Sequence, residues 1–334
     1  AARARNSMRC FVTGATGQLG CALVRQHAAV GHQVTALVLP GDPWAAPAFE
    51  GLDVSQATGD LRDPASYPDE TFDWVFHLAA NQSFHRRDHQ IQWEINVDGV
   101  THLLSWLAAH PPRRVVHVSS LAAVGLADRL ETPMDEMTPF EAAEHGLMYA
   151  MSKQAGERLV LKAASRGLPA VVANPGTVLG PWDRSGHAWR MLRPLVRGWV
   201  RAVPPGGNSL VDARDVARGL MAMAAGARAG QRYLLTGHNL TYRHLAKRAG
   251  RIAGNTGPIV TLPRWFLTGL GVTVEPLADL VGIDSPIAHD ELVTGASYLY
   301  FNASKAHREL GFRARPLDFT LYDTLEWYRA AGFS

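Results

Sequence analysis

Cysteine is nearly missing from this 334-residue chain, which contains only Cys10 and Cys21. The two cysteines do not form a Cys-x-x-Cys pair, and no histidine cluster shows the spacing of zinc ligands. Small secreted domains depend on many disulfides, and structural zinc needs several cysteine or histidine ligands. The sequence therefore predicts neither a disulfide framework nor a metal site, and we expect a protein of the reducing cytoplasm.

Long apolar runs and an excess of one charge are also missing. The most apolar tract, Trp265 to Ile283, is interrupted by two acids and a proline, so we expect no membrane insertion. The formal net charge is only +3, and no basic stripe alternates with aromatic residues as in a nucleic-acid groove, so no nucleic-acid partner is expected. The opening AARARNS, residues 1–7, is interpreted as a scar of the expression vector.

Short apolar runs bounded by turn residues alternate with longer helical patterns over the first half of the chain. This alternation is typical of an α/β fold with a doubly wound parallel sheet. Helical patterns cover Gln18 to Ala29, Gln90 to Ala109 and Met148 to Arg166. The predicted strands are Arg9 to Thr13, Gln33 to Val38, Ser55 to Thr58, Trp74 to Leu78, Val115 to Ser119, Ala170 to Ala173 and, later, Gln231 to Thr236.

A glycine-rich turn follows the first predicted strand. The sequence TGATGQLG places Gly14, Gly17 and Gly20 between that strand and a helix. Glycine lets the chain turn tightly, lets backbone N–H groups approach a pyrophosphate, and lets the helix pack close to the sheet. The pattern predicts a dinucleotide site, whereas a purely structural turn is the alternative when the glycines are taken alone.

The turn indicates a Rossmann sheet over residues 8–173, with a returning segment at about 209–236. After Pro175 the chain becomes rich in Trp, Arg, Gly and Pro. We therefore assign residues 174–208 and 237–334 to a smaller C-terminal substrate-binding lobe. The stretch from Gly125 to Gly146 is long enough to form a flap over a site.

The positions that would contact the adenosine half of a dinucleotide are ambiguous. The second strand ends at Val38 and Leu39, where neither an acid for NAD nor an arginine for NADP is found, so the cofactor preference is unresolved. Asp60 could receive the adenine amino group or could cap the helical segment after it. Leu78, Ala79 and Ala80 end the fourth strand, where small residues would admit the dinucleotide.

Tyr149 and Lys153 lie four residues apart in a predicted helix, so they share one face. A free phenol has a pKa of about 10 and must shift by roughly 3 units, or about 4 kcal/mol, to act near neutrality. An ammonium about 4 Å away at an effective dielectric near 20 supplies about that energy. We therefore expect Lys153 to lower the pKa of Tyr149, although a lone pair of this kind is usually only a solvated contact.

With TGATGQLG, GDL, HLAA, VVHVSSLAAVG, YAMSK and NPGTVLGP in this order, the sequence resembles the extended short-chain dehydrogenase/reductases, also described as NAD-dependent epimerases/dehydratases. Within them it is similar to the nucleoside-diphosphate-sugar epimerase and dihydroflavonol reductase-like branch. The resemblance implies catalytic roles for Ser120, Tyr149, Lys153 and Asn96, and it makes Asp212 and Asp215 structural. The residues it implies for NAD or NADP binding are Gly14, Thr16, Gly17, Gln18, Leu19, Gly20, Leu39, Asp60, Leu61, Leu78, Ala79, Ala80, Ser119, Tyr149, Lys153, Asn174, Pro175, Gly176 and Thr177.

Two reactions are compatible with this motif set. Relatives that dehydrate sugar nucleotides carry Asp and Glu directly after the catalytic hydroxyl residue, where this chain has Leu121 and Ala122, so dehydration is disfavoured. A ketone/alcohol reductase and an epimerase with a transient keto intermediate remain. Arginines after residue 183 could hold a sugar diphosphate, whereas aromatic residues favour an apolar small-molecule substrate, with candidate contacts at Ser83, Phe84, Ala122, Trp182 and Trp189.

A third hypothesis is a non-catalytic dinucleotide sensor, a class that commonly lacks the tyrosine and lysine found here. The resemblance also implies a homodimer formed through the predicted helices Gln90 to Ala109 and Met148 to Arg166.

Overall fold

A computed structural model of the chain describes residues 7–126, 133–140, 146–199, 201–266 and 289–333. Seven strands form its larger sheet: β1 (Arg9–Thr13), β2 (Gln33–Val38), β3 (Val54–Thr58), β4 (Trp74–His77), β5 (Arg114–Val118), β6 (Ala170–Pro175) and β10 (Arg232–Leu235). Their order is β3-β2-β1-β4-β5-β6-β10, and every pairing is parallel. The predicted doubly wound parallel sheet is confirmed.

Helices cover both faces of this sheet. The first eight are α1 (Gln18–Ala29), α2 (Ala45–Phe49), α3 (His89–Trp93), α4 (Gly99–Ala109), α5 (Met148–Ala164), α6 (His187–Val196), α7 (Ala213–Gly226) and α8 (Tyr242–Ile252). Further helices cover His289–Ala296, Ser304–Leu310 and Leu317–Ala330. Among all the residues that the structure describes, no helix has the length and apolarity that crossing a bilayer requires.

Strand periodicity divides the core into two layers. Val12 of β1 packs in a buried cluster with α1 and α7 residues such as Leu23 and Leu220. The preceding residue, Phe11, packs in the opposite cluster with Leu103 of α4 and Val160 of α5. Successive strand residues point to opposite faces, so continuous apolar strands bury both faces of a parallel sheet.

The second lobe has a core of its own. β7 (Thr177–Leu179), β9 (Gly207–Asp212) and β11 (His238–Thr241) form a three-stranded sheet, and β8 (Ala202–Val203) pairs with β12 (Val260–Thr261). Leu179, Leu192, Leu245 and Tyr328 belong to the buried cluster of this lobe. The lobe stands beside the end of β6, which places it next to the carboxyl edge of the large sheet.

Asp212 and Asp215 join the two lobes. Asp212 caps α7 by accepting a hydrogen bond from the Arg214 amide at 2.9 Å, and its carboxylate also accepts from Thr320 at 3.0 Å. Asp215 accepts hydrogen bonds from both the backbone and the guanidinium of Arg315, at 2.7 to 2.9 Å. The structural role predicted for these two acids is confirmed.

The helix predicted from Gln90 to Ala109 is present, but it is not α-helical throughout. A π-helical turn, Glu94–Asp98, separates α3 from α4. The amide of Asn96 bonds to the backbone of Asn81, and an added Cβ at Gly156 of α5 would overlap the Asn96 carbonyl oxygen. The π turn thus fits a side chain that is held by the neighbouring loop, which helical periodicity alone does not reveal.

Three predicted features lie partly or largely outside the described residues. Of the proposed flap from Gly125 to Gly146, residues 127–132 and 141–145 are not described; within the remainder, Met134 forms a parallel bridge with Phe301. The apolar tract from Trp265 to Ile283 is described only at its first two residues, and the scar at 1–7 only at Ser7.

Candidate functional site

The candidate site lies at the carboxyl edge of the large sheet, where four parallel strands end. Gly14 follows β1, Leu78 follows β4, Ser119 and Ser120 follow β5, and Asn174 lies near the end of β6. From β1 the sheet extends through β2 and β3 on one side and through β4, β5, β6 and β10 on the other, so the strand order reverses at β1. Open α/β sheets bind ligands in the crevice at such a reversal.

The glycine turn is shaped by backbone contacts. Gly14 has φ +68°, and an added Cβ would lie 2.6 Å from the Ala79 amide nitrogen. At Gly20 an added Cβ would overlap the Gly14 carbonyl oxygen. Gly17 differs, because its added Cβ would meet only that carbonyl, at 3.4 Å. Gly14 and Gly20 therefore serve packing, whereas the space over Gly17 is open.

The N-terminus of α1 is suited to an anion. Its N-cap is Gly17, no side chain caps it, and no acidic residue lies in its first turn. Unsatisfied N–H groups and the helix dipole attract phosphate at such a terminus. Gln18, predicted to contact the cofactor, donates instead to the Gly180 carbonyl at 2.9 Å and so ties the turn to the second lobe.

The end of β4 is fixed against β1. The Thr13 hydroxyl is 2.7 Å from Nδ1 of His77 and accepts from the Ala79 amide at 3.3 Å. His77 stacks on His117 with ring centroids 5.2 Å apart, and both are buried. Burial lowers the pKa of both imidazoles, that of His77 to about 3, so they are neutral core residues.

Ser120 and Tyr149 meet at the centre of the site. The Ser120 hydroxyl oxygen accepts a hydrogen bond from the Ala122 amide at 3.1 Å, which caps the short helical turn Leu121–Ala123. Burial raises the pKa of the Tyr149 phenol, and a hydrogen bond with the Ser120 side chain opposes this shift. The Phe84 ring lies edge-on to Tyr149 with centroids 5.8 Å apart.

Lys153 does not have the effect expected from the sequence. Its ammonium donates to the Val118 carbonyl at 2.8 Å, toward the end of β5, and the pKa of Tyr149 is raised rather than lowered. Burial of the phenol outweighs any benefit of a cation on the same helix face. Burial also lowers the pKa of Lys153 to about 8, while Glu157 opposes that shift.

Sequence reasoning missed a buried network around Glu157. Its carboxylate accepts from the Asn174 amide at 2.7 Å and from Arg232 at 3.3 Å. The same Asn174 amide nitrogen donates to the Ser120 carbonyl at 2.9 Å. Glu157 follows Lys153 by four residues, as Lys153 follows Tyr149, and this helical spacing was the signal that could have identified it.

Asn96 connects the loop after β4 to helix α5. Its amide group pairs with both backbone polar groups of Asn81 at 2.9 Å and donates to the Ser152 hydroxyl at 3.0 Å. The loop after β4 is thereby held against α5, close to Tyr149 and Lys153. Asn96 thus fixes the relative position of two parts of the site.

The residues predicted to contact the adenosine half of the dinucleotide differ in their exposure and in their partners. Leu39 is exposed after β2, while Leu61 is buried in the core cluster with Val100. The Asp60 carboxylate binds the Arg62 guanidinium at 2.7 and 3.1 Å, which lowers the pKa of Asp60. It does not cap the following helical turn, because Asp63 accepts from the Ala65 amide there.

Two of the predicted substrate contacts, Trp182 and Trp189, are partly buried against the cores of the two lobes. Trp182 packs against the α1 side of the sheet core, with the Arg25 guanidinium 4.9 Å from its ring centroid. Trp189 packs on Tyr328 in the second-lobe core with centroids 5.0 Å apart. Large apolar rings gain more from core packing than from an open crevice. Phe84 is the predicted aromatic contact that does lie beside Tyr149.

The remaining predicted residues surround this centre. Ser83 donates to Asp88 at 2.6 Å in the loop after β4. Ala122 contacts Ser120 as described, and Ala80 and Thr16 are partly buried beside the glycine turn. Leu19, in the first turn of α1, packs on the sheet core, and Pro175, Gly176 and Thr177 lead from β6 into β7. In the described structure, the buried Ser119 hydroxyl and the Asn174 amide oxygen have no hydrogen-bond partner.

A cluster of possible metal ligands lies elsewhere, where the sequence predicted none. Cys10 Sγ is 3.7 Å from His27 Nδ1, which is 2.8 Å from His32 Nδ1. Two imidazole nitrogens on one tetrahedral zinc would be about 3.3 Å apart, given bonds of about 2.0 Å. The shorter separation is that of a hydrogen bond, so the geometry describes a hydrogen-bonded pair of a buried His27 and a half-buried His32.

A sequence model of the NAD-dependent epimerase/dehydratase family matches residues 10–235. The chain belongs to this family. Among family relatives it is 33% identical to sterol demethylase protein B of Methylococcus capsulatus, over 97% of this chain and 99% of that protein. It is 31% identical to a putative dihydroflavonol 4-reductase of Synechocystis, over 97% and 95%. The crystal structure of gox2253 superimposes with a TM-score of 0.82 at 30% identity, over 97% and 98%.

Proposed function

We propose that the protein is an NAD(P)-dependent oxidoreductase that transfers hydride between nicotinamide and a ketone or secondary alcohol. The observation that carries this proposal is the placement of the buried Tyr149 phenol beside the Ser120 side chain at the carboxyl edge of the sheet, where Ser120 opposes the raised pKa of the phenol. Lys153 lies one helical turn away, and the glycine turn opens onto the same edge. These are the parts that acid/base catalysis beside a dinucleotide requires.

The residues at this edge fit a dinucleotide. The open space over Gly17 and the uncapped N-terminus of α1 suit a pyrophosphate. The unpartnered Ser119 hydroxyl and Asn174 amide oxygen are buried polar atoms that a ligand could satisfy. When bound, the nicotinamide supplies or accepts the hydride. Lys153 and Tyr149 are proposed to contact its ribose side, with Ala79 and Ala80 beside the chain of phosphates.

Tyr149 supplies the proton in the direction of reduction. Because burial raises its pKa, the phenol is protonated at neutral pH and can donate to a carbonyl oxygen as that oxygen gains charge. The Ser120 oxygen already accepts from the Ala122 amide, so its O–H is oriented to donate to the same substrate oxygen. Lys153 is mostly charged at neutral pH, and its bond to the Val118 carbonyl holds the ammonium at the proposed ribose side of the cofactor.

We infer an apolar ring-bearing substrate. Phe84 places an aromatic ring next to Tyr149. Leu121 and Ala122 provide no acid or base for the elimination of water. The names of the two relatives refer to a sterol and to a dihydroflavonol, which are both ring systems. A nucleoside-diphosphate-sugar epimerase is the second candidate, because the same Tyr149 and Ser120 could serve a transient oxidation and arginines of α6 could bind a diphosphate.

The test uses a panel of ring ketones, their alcohols and sugar nucleotides with NAD or NADP, in oxidised and reduced forms. The proposed reductase changes the absorbance of the reduced cofactor in step with product. Product without net change in the cofactor would indicate an epimerase. Cofactor binding without turnover of any compound would instead support a dinucleotide sensor. The same assay compares NAD with NADP.

We also propose a homodimer through helices α4 and α5, as the family resemblance implies. Both helices pack their inner faces on the sheet and leave residues such as Thr101, Ser105 and Arg158 exposed. Sedimentation equilibrium of the purified protein tests this proposal: a dimer mass supports it, and a monomer mass at micromolar concentration contradicts it.

A further inference from the structure

Positive charge is segregated in the second lobe. Residues 184–208 contain five arginines, residues 237–266 contain four arginines and one lysine, and neither stretch contains Asp or Glu. The net charge of +3 for the whole chain conceals this asymmetry, because acids elsewhere compensate for it. A chain-wide count therefore understates how cationic this region is.

The fold brings the two basic stretches together. β8 of the first stretch pairs with β12 of the second, and the Val260 amide donates to the Arg201 carbonyl at 2.7 Å. Leu195, Val203, Ala246 and Ile259 form a buried cluster beneath them. The exposed side chains of both stretches consequently lie on one continuous part of the lobe.

Aromatic side chains protrude among these cations. Trp199 is 62% exposed and Trp265 is 74% exposed, which is unusual for tryptophan. The guanidinium groups of Arg193 and Arg197 lie 4.8 and 5.7 Å from the Trp199 ring centroid. The exposed Arg197 and Arg201 form no ion pair with any described carboxylate. We name Arg197, Trp199, Arg201, Val260 and Trp265 the basic aromatic surface.

We propose that the basic aromatic surface docks the enzyme on lipid bilayers that carry anionic headgroups. Cations near an anionic membrane gain electrostatic energy, and tryptophan rings prefer the headgroup region. A bilayer accounts for the exposed Trp199, Val260 and Trp265 better than a nucleic acid does, because their apolar surface would be buried on docking. This inference goes beyond the proposed reaction and does not depend on which alcohol or ketone is the substrate.

The test is sedimentation of the full chain with vesicles of phosphatidylcholine alone or of phosphatidylcholine mixed with phosphatidylglycerol. We expect binding to the mixed vesicles, weakened by added salt, and little binding to the neutral ones. The double variant R197E/R201E should lower the partition coefficient about tenfold or more. Trp199→Ser should weaken vesicle binding without changing retention on a heparin column.

The matched control is R308E/R313E, which makes the same charge change at two exposed arginines, one within the helix Ser304–Leu310 and one shortly after it. Circular dichroism of each variant checks the fold. Control binding equal to that of the native chain supports the proposal. It is overturned if the mixed vesicles are not bound, if both double variants lose binding equally, or if the chain binds duplex RNA in preference to the mixed vesicles. Turnover is not measured, so failure of this proposal leaves the proposed reaction untouched.

Discussion

Ser120 determines how Tyr149 can exchange its proton. The Ser120 hydroxyl is oriented by the Ala122 amide, and its hydrogen bond is what opposes the raised pKa of the phenol. We predict that Ser120→Ala lowers kcat about 10²- to 10³-fold, as the loss of one donor to a developing oxyanion does. In the direction of oxidation Tyr149 must act as the base, so the acidic limb of the pH profile, where activity rises with pH, moves to higher pH because the pKa of Tyr149 rises further.

The measurement is the pH dependence of kcat, with Ser120→Thr as the control that keeps a hydroxyl. The Thr variant should retain most of the activity. An Ala variant with native kcat and an unchanged pH profile would contradict the role assigned to Ser120.

The charge of Lys153 is predicted to set an alkaline limit on activity. The pKa of this lysine is about 8, so its ammonium is lost as the pH rises through that value, and with it the positive charge proposed to hold the cofactor ribose. Glu157 raises this pKa, and Glu157→Gln removes that effect while keeping the shape of the side chain. We therefore expect the alkaline fall of kcat/KM near pH 8 to move to lower pH in the variant.

Profiles of kcat/KM for the native chain and the Glu157→Gln variant test this shift. Glu326→Gln is the control, because Glu326 is a half-exposed acid of the last helix that pairs with Arg329. An alkaline limb that stays at its native position in Glu157→Gln, or that moves equally in both variants, would refute the link to Lys153.

At the scale of the element, different glycines of the glycine turn serve backbone packing and ligand binding. An added Cβ at Gly17 meets only one carbonyl at contact distance, whereas at Gly20 it overlaps the backbone. We predict that Gly17→Ala folds normally but raises the dissociation constant of the dinucleotide about tenfold, because the methyl group enters the phosphate site.

Gly20→Ala should instead lower the midpoint of thermal unfolding. Cofactor fluorescence titrations and calorimetry of the two variants provide the comparison. The interpretation fails if Gly17→Ala binds the dinucleotide as tightly as the native chain.

The contact between α5 and the π turn is a second test at this scale. An added Cβ at Gly156 would overlap the Asn96 carbonyl, which is backbone and cannot rotate away. Gly156→Ala is expected to lower the free energy of unfolding by about 1–3 kcal/mol and to reduce turnover by displacing Tyr149. Gly226→Ala is the control, because no atom lies within 4 Å of an added Cβ there. Urea unfolding that shows equal stability for both variants would contradict the assigned contact.

For the whole molecule, local patterns predicted the fold because each strand and helix buries its apolar residues with a regular period. The bounds of β1, β2 and α1 agree with the prediction residue for residue, since turn residues mark both ends. Parallel strands then bring Ser120 and Tyr149 to the glycine turn in any such sheet. The order of the motifs along the sequence therefore predicted which residues meet at the site.

Features that depend on contacts between distant segments were not predictable in the same way. The π turn at Asn96 depends on Asn81 and Gly156, and the raised pKa of Tyr149 depends on burial by several elements. Trp182 and Trp189 are predicted substrate contacts, and composition does not show that each ring also packs on the edge of a core. The pairing of β8 with β12 likewise concentrates charge that is dispersed in the sequence.

The measurement that tests the central claim most directly compares Tyr149→Phe with the native chain, using a substrate found with the ketone and alcohol panel. Tyr322→Phe, at an exposed tyrosine of the last helix, is the control. The account predicts that Tyr149→Phe binds the dinucleotide with a native dissociation constant but has lost nearly all turnover, whereas Tyr322→Phe is unaffected. Substantial turnover by Tyr149→Phe would show that the proton comes from another group and would contradict the account.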